Sequence, residues 1–493
     1  MMVQDPTSLR WYQRSTFILA LQIFYGALIL LPSLNSRGLW ASHEARAALN
    51  ARSMLEQSQW VIPHLPDGTP ELQKPPGYYW MVAGIAILNE RVVSPICVRL
   101  PAVLAAFGCM IVIHRFLFRH GKRAASWIAP LVLVTSIRFA GTAQVGRIDL
   151  PLTFAVTSFL VIFYEKNVST VRLMLASLFL AGGLLLKGPI ALVLVATTLG
   201  PWWLLQYRTF RWQWLFKLSI ACLIGILLAA PWYILAHTRT DGAFTREFFL
   251  YHHLARATGQ QEALASYPLW YYLPRILIDF LPWTAALFVT CYRKSTWGDP
   301  QARFTACWVG GMFLLLSLAS FKRADYLLPL FPGLAILSGI GIASEIAHRT
   351  WGRFIRISFW TIIAIYPVGW QVFDHVVTRK MEEKHQLASF AAEIVRHKPT
   401  DSKVIFFQVE SHQLAYHLHQ PFLTMTSYTD IAAQAALPGD LYVIARLGAL
   451  PDLQALFGRQ LHVLVQNTTW NGRPQHRPVA LITIREIDGI SHR

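Results

Sequence analysis

Leu39–Trp80 reads LWASHEARAALNARSMLEQSQWVIPHLPDGTPELQKPPGYYW and lies between two apolar runs, each expected to be long enough to span a bilayer. His43, Glu44 and Arg46 open the stretch; Gln73, Lys74 and the Pro75-Pro76 pair close it. Ala47, Leu49, Met54 and Leu55 recur among small and polar residues, a spacing that predicts a short helix lying along the membrane surface. A connection of about forty residues between spans is functional or disordered when it lacks a fold of its own. The tryptophans and tyrosines here argue against disorder. The stretch therefore reads as one wall of an active site at the membrane surface.

Composition places the rest of the chain in the membrane. Of 493 residues, 54% are hydrophobic and only 14% charged, where soluble domains carry roughly 25% charged residues. Eighteen tryptophans and seventeen tyrosines suit interfacial aromatic belts. The net charge of +18 does not point to nucleic acid, because the Lys and Arg residues fall largely in short connections between apolar runs. The first run is long and has no small-residue cleavage site after it, so it reads as an uncleaved span. Cys97, Cys109, Cys222, Cys291 and Cys307 lie in or beside apolar runs without CxxC spacing and read as small core residues.

A span needs about twenty apolar residues in helix. Eleven are expected, near 16–34, 96–118, 124–141, 148–164, 171–187, 188–206, 214–236, 275–292, 303–320, 326–344 and 355–375. Lys187-Gly188-Pro189 reads either as a tight turn between two of them or as a kink. Alternate connections are short and basic, as cytoplasmic loops are, which predicts a cytoplasmic N-terminus and an outer C-terminus. The two long loops, 35–95 and 237–274, then share the outer face with the turns carrying Asp149 and Lys322-Arg323-Asp325. All the candidate chemistry falls on one side. From residue 376 the chain is soluble in character. Short β-rich runs at 404–409, 421–425, 441–447, 461–466 and 479–485 predict a small extracytoplasmic α/β domain, after a membrane domain over 1–375.

Several residues could carry chemistry. Glu44 is either a catalytic carboxylate or a first-turn residue favoured by the helix dipole. Lys74, held before two prolines and followed by Tyr78, Tyr79 and Trp80, suits a phosphate head group at the interface. Asp149 opens a span, where a carboxylate is costly unless paired or functional; Arg147 is the obvious partner. His252, His253 and Arg256 stand at helical spacing in the second long loop, and adjacent histidines diverge on a helix, so the metal signal is weak. Lys322, Arg323, Asp325 and Tyr326 meet at one outer boundary, where cations ask for an anionic partner.

The motifs HEARAALNARSML, WVIPHL, QKPPGYYW, RIDLPL, LLLKGP, YHHLARATG and SFKRADYLLPLFPG follow in order between residues 37 and 333. This ordered set resembles the C-type (GT-C) integral-membrane glycosyltransferases, close to the aminoarabinose transferases that modify lipid A and to the wider protein O-mannosyltransferase-like superfamily. The resemblance implies a sugar donor on polyprenyl phosphate and a glycolipid or protein acceptor at the outer face. It implies Glu44, with His43 beside it, and Asp149 as the acidic site, and Lys74, Arg256 and Tyr326 as the lipid-phosphate site, to which Arg46 and Lys322 add charge. Two departures stand out. The first loop begins His43-Glu44 where the relatives begin Asp-Glu, and Gln73 replaces the glutamate before the lysine. With a histidine matching His253, that glutamate can hold a divalent metal in the relatives; an amide is a much poorer ligand. No other cofactor is implied. A transporter or lipid flippase, and an inactive polyprenyl-lipid-binding relative, remain the alternatives. The apolar runs are clean at mid-membrane, whereas transporters carry polar breaks there.

Overall fold

The computed structural model describes residues 15–32, 34–35, 37–206, 212–255, 267–347, 352–381, 387–399, 402, 404–409, 412–420, 422–467 and 478–485, with backbone alone for 252–255. They pack as two units. The first falls within 1–34, 72–88 and 96–371; the second within 35–71, 89–95 and 372–493.

The first unit is helical. Its leading elements are α1 (Ser15–Leu30), then, after the second unit's α2 (Ser42–Gln57), α3 (Gly77–Leu88), α4 (Pro95–Arg119), α5 (Arg123–Val134), α6 (Ile137–Ala143), α7 (Asp149–Phe163), α8 (Thr170–Lys187), α9 (Ile190–Gln206) and α10 (Trp212–Arg239). Helices stand at each of the eleven expected positions. Among the described residues, five are long and apolar enough to cross a membrane, and seven if two bent pairs each count as one span. The bent pairs are α5–α6, turned by 64°, and Leu269–Asp279 with Thr284–Tyr292, turned by 112°. At the first bend the Thr135 hydroxyl donates back to the Leu131 carbonyl at 2.6 Å and accepts from the Trp283 indole at 2.8 Å. The chain is thus an integral membrane protein built from apolar helices, several shorter than a full bilayer crossing.

Local chemistry fixes the helix ends that matter for the site. α8 begins at Ser169, whose hydroxyl accepts from the Arg172 amide, a standard N-cap. It ends at Gly188, whose φ of +70° turns the chain into α9; that conformation favours glycine. Lys187-Gly188-Pro189 is therefore a tight turn. α3 was unexpected within the loop 35–95. At twelve residues it is about 18 Å long, short of a crossing. Gly77 at its start admits a close approach: a Cβ there would lie 2.6 Å from the Leu185 carbonyl oxygen of α8.

The second unit contains a five-stranded sheet in the order β2-β1-β3-β5-β4. β1 (Val404–Phe407) pairs in parallel with β2 (Phe422–Met425) and β3 (Leu441–Arg446). β5 (Val479–Ile484) runs antiparallel to both β3 and β4 (Leu461–Asn467). The five expected β-rich runs are these five strands. β1 and β5 are buried throughout, consistent with continuous apolar runs rather than alternation.

α2, expected as a short helix along the membrane surface, packs against the helix His412–Leu418. The Arg52 guanidinium lies 5.0 Å from the centre of the Tyr416 ring and donates to the Tyr416 carbonyl at 3.3 Å. The Trp40 carbonyl accepts from Gln413 at 3.1 Å, and the Tyr416 hydroxyl donates to the Val93 carbonyl at 2.9 Å. Ala45, Ala48, Leu49, Ala51 and Met54 are almost wholly buried. The apolar stripe that suggested lipid is satisfied by protein.

Candidate functional site

Asp149 is the first residue of α7 and is buried. One carboxylate oxygen accepts from Lys187 Nζ at 2.6 Å, and the other meets Arg147 Nε at 3.1 Å. The Arg147 fork reaches on to Asp325 at 2.8 Å. Asp325 also has Arg138 and Arg323 within 3.7 Å, and Arg138 holds Asp279 at 2.8 Å. Three carboxylates thus stand among four cations in one connected network. Charges at this depth are tolerable because each has an opposite neighbour.

One end of the network opens into a cavity of about 230 Å³. Its lining combines the polar side chains of Gln73, Lys74, Asp149, Lys187 and Tyr326 with apolar groups including Ile190, Leu194, Phe248 and Leu316. Lys187 Nζ sits 4.3 Å from the Tyr326 ring centre, so the ring face adds to its stabilisation. Gly77 lets the start of α3 seat against the end of α8, which places Lys74 and Lys187 at the same cavity. Two ammonium groups and one carboxylate among apolar side chains suit an amphiphile with an anionic head.

The other expected residues fall elsewhere. Lys322 is buried, and its ammonium donates to the main-chain carbonyls of Tyr267 (3.0 Å) and Ala319; it is not among the residues lining the cavity. Burial lowers its pKa below the ordinary lysine value. His43, Glu44 and Arg46 are on α2 in the second unit, where Glu44 is buried in the first turn. Arg46 Nε pairs with Glu71 at 2.8 Å. Arg256 lies outside the described residues, and the His253 side chain is not described. No group of three His, Cys, Asp or Glu side chains that could hold a metal occurs among the described residues. Gln73 offers an amide where a carboxylate would bind a divalent ion better.

Four functional candidates escaped the sequence reading. Lys187 read only as part of a turn, although a cation closing an apolar run is the signal that a buried carboxylate such as Asp149 requires. Arg138 and Asp279 lay inside runs taken as spans. Glu71 is buried against both Arg46 and Asn50, which donates at 3.1 Å. Its signal was the i,i+4 pair Arg46 and Asn50, two donors on one helix face.

Comparison with known proteins agrees with this architecture. Residues 73–234 match the family described as dolichyl-phosphate-mannose-protein mannosyltransferase. The fold is that of the GT-C membrane glycosyltransferases, a many-helix unit with a small sheet domain. ArnT from Cupriavidus metallidurans, in a crystal structure with undecaprenyl phosphate bound, superposes with a TM-score of 0.76 at 16% identity, covering 96% of this chain and 98% of that one. The archaeal oligosaccharyltransferase AglB from Archaeoglobus fulgidus, in complex with an inhibitory peptide and a dolichol-phosphate, superposes at 0.58 with 11% identity, over 90% and 70% of the two chains.

In sequence, the chain is similar to the undecaprenyl phosphate-alpha-4-amino-4-deoxy-L-arabinose arabinosyl transferases. That of Pectobacterium carotovorum is 30% identical over 72% of this chain and 63% of the relative. That of Shewanella sediminis is 29% identical over 70% and 63%. The chain thus spans just under two thirds of the length of these curated relatives.

Proposed function

We propose that the chain is a glycosyltransferase that moves a sugar from a polyprenyl-phosphate donor to an acceptor at the outer face of the membrane. The observation that carries this reading is the cavity, lined by Lys74 and Lys187 together with apolar side chains. The donor phosphate would meet the two ammonium groups and the prenyl chain would follow the apolar wall. As the bond from the anomeric carbon to the phosphate oxygen breaks, the leaving phosphate gains a negative charge. Cations already in place stabilise it by a few kcal/mol per group. Arg256 is assigned to the same phosphate from its place in the YHHLARATG motif.

The acceptor oxygen forms the new bond to the anomeric carbon and loses its proton. Glu44 is assigned as the carboxylate that takes it, with His43 adjacent. Asp149 orients Lys187 and Arg147 around the leaving group. A phosphate leaves without help from a general acid. The similarity to aminoarabinose transferases favours a glycolipid acceptor of the lipid A type and an amino-pentose donor. The short basic loops favour a cytoplasmic N-terminus, with the site and the sheet unit outside.

Mass spectrometry of envelope extracts from the native host, with and without this chain, tests the reading. A pentose- or hexose-type mass increment on one glycolipid or glycoprotein, lost on deletion, is expected and identifies the acceptor. Identical extracts under several growth conditions, alongside intact polyprenyl-phosphate binding, would overturn transfer in favour of a lipid-binding role.

A further inference from the structure

α7 and α8 run from the candidate site toward a second cavity, of about 300 Å³, bounded by α4, α7, α8 and the turn between the last two. It shares no lining residue with the first. Arg115 and Arg119 reach it from the last turns of α4, and Arg172 from the first turn of α8. The remaining wall is largely apolar, with Ile162 and Leu175 among its members. Glu165, the carboxylate of the lining, is already shared between His120 at 3.4 Å and Arg172 at 3.9 Å. Among the described residues, neither Arg115 nor Arg119 has a carboxylate at ion-pairing distance.

We propose that this groove binds an anionic phospholipid. Its phosphate would lie between the guanidinium groups of Arg115, Arg119 and Arg172, and its upper acyl chain along Ile162 and Leu175. Guanidinium forks match phosphate oxygens two at a time. Positions 115 and 119, four apart on a helix, present their groups to one side. A basic pocket between membrane helices is a known form of head-group recognition. The apolar wall decides between a lipid and a small soluble anion. Leu175 is 44% exposed on a helix long and apolar enough to cross the membrane, so the wall beside the guanidinium groups is one that acyl chains cover. The cavity accommodates a head group and the methylenes beneath it, the rest of the lipid remaining in the bilayer. The proposal is independent of the transferase reading.

The test uses the full chain in nanodiscs of phosphatidylcholine with a minor fraction of phosphatidylglycerol, and native mass spectrometry of the lipids retained after release. The wild type is expected to retain phosphatidylglycerol above its share of the bilayer. R115Q/R119Q is expected to reduce that enrichment roughly thirtyfold, while R353Q/R356Q, a basic pair from another helix end, leaves it intact. L175W, which fills the apolar wall and leaves every charge in place, is expected to lower retention as well. Inorganic phosphate in excess should fail to displace the lipid. Enrichment unchanged in folded R115Q/R119Q, or lost equally in R353Q/R356Q, would overturn the site, the latter leaving only general surface attraction. Displacement by inorganic phosphate would overturn the lipid in favour of a soluble anion.

Discussion

Asp149 has two cations on one buried carboxylate, and the nearer is Lys187. Removing a partner from a buried pair leaves an uncompensated charge. Lys187→Met should therefore cost about 3 kcal/mol of stability, the low end for such changes because Arg147 remains. Adding Asp149→Asn to Lys187→Met should recover much of that loss in thermal unfolding, because the orphaned charge is gone. It should not restore polyprenyl-phosphate affinity, because the cation proposed to meet the phosphate is still missing. Recovery of both would make Lys187 purely structural. In the sequence, Lys74, Asp149 and Tyr326, which line one cavity, stood out because a charge or phenol at the edge of an apolar run needs a reason to be there. Lys187 and Glu71 were not: their partners lie 38 and 25 residues away in the chain, a separation that periodicity cannot bridge. Lys322 misled because a cation at that boundary can be satisfied by main-chain carbonyls as well as by an anion.

Two elements bring the cationic lining of the cavity together, α3 and α8, and Gly77 is where they meet. A methyl group there would press on the Leu185 carbonyl, and overpacking of this kind costs typically about 1–3 kcal/mol. Gly77→Ala should lower the melting temperature and, by pushing the start of α3 away, weaken binding of polyprenyl phosphate. Gly84→Ala, where a Cβ meets nothing within 4 Å, should do neither. The helices were foreseeable as apolar runs. Their bends were not, because hydropathy carries no direction: the 64° and 112° turns depend on side-chain contacts such as Trp283 with Thr135. The apolar stripe of α2 was seen correctly and given the wrong partner, since a stripe does not say whether lipid or protein covers it. The strands were readable to within a residue or two because each is a compact apolar run between turn residues.

At the scale of the whole molecule, the short basic connections predict that the sheet unit lies on the outer side of the membrane. In a Cys291→Ser background, a cysteine replacing the exposed Asp440 should react with a membrane-impermeant maleimide in intact spheroplasts. Labelling confined to inverted vesicles would reverse the orientation. The donor set also predicts that exhaustive treatment with a chelator leaves transfer unchanged, whereas loss restored by one divalent ion would mean that a metal site forms with residues outside the described set. Glu44→Gln should abolish transfer with donor affinity retained, because its assigned task is to take the acceptor proton.

The most direct test of the account is the affinity of purified Lys74→Ala for undecaprenyl phosphate, measured beside the wild type with thermal unfolding as the control for folding. The account predicts a folded protein that binds the lipid at least about tenfold more weakly, as expected when one stabilising cation is lost. A folded Lys74→Ala with wild-type affinity would contradict it, because the phosphate would then lie outside the cavity.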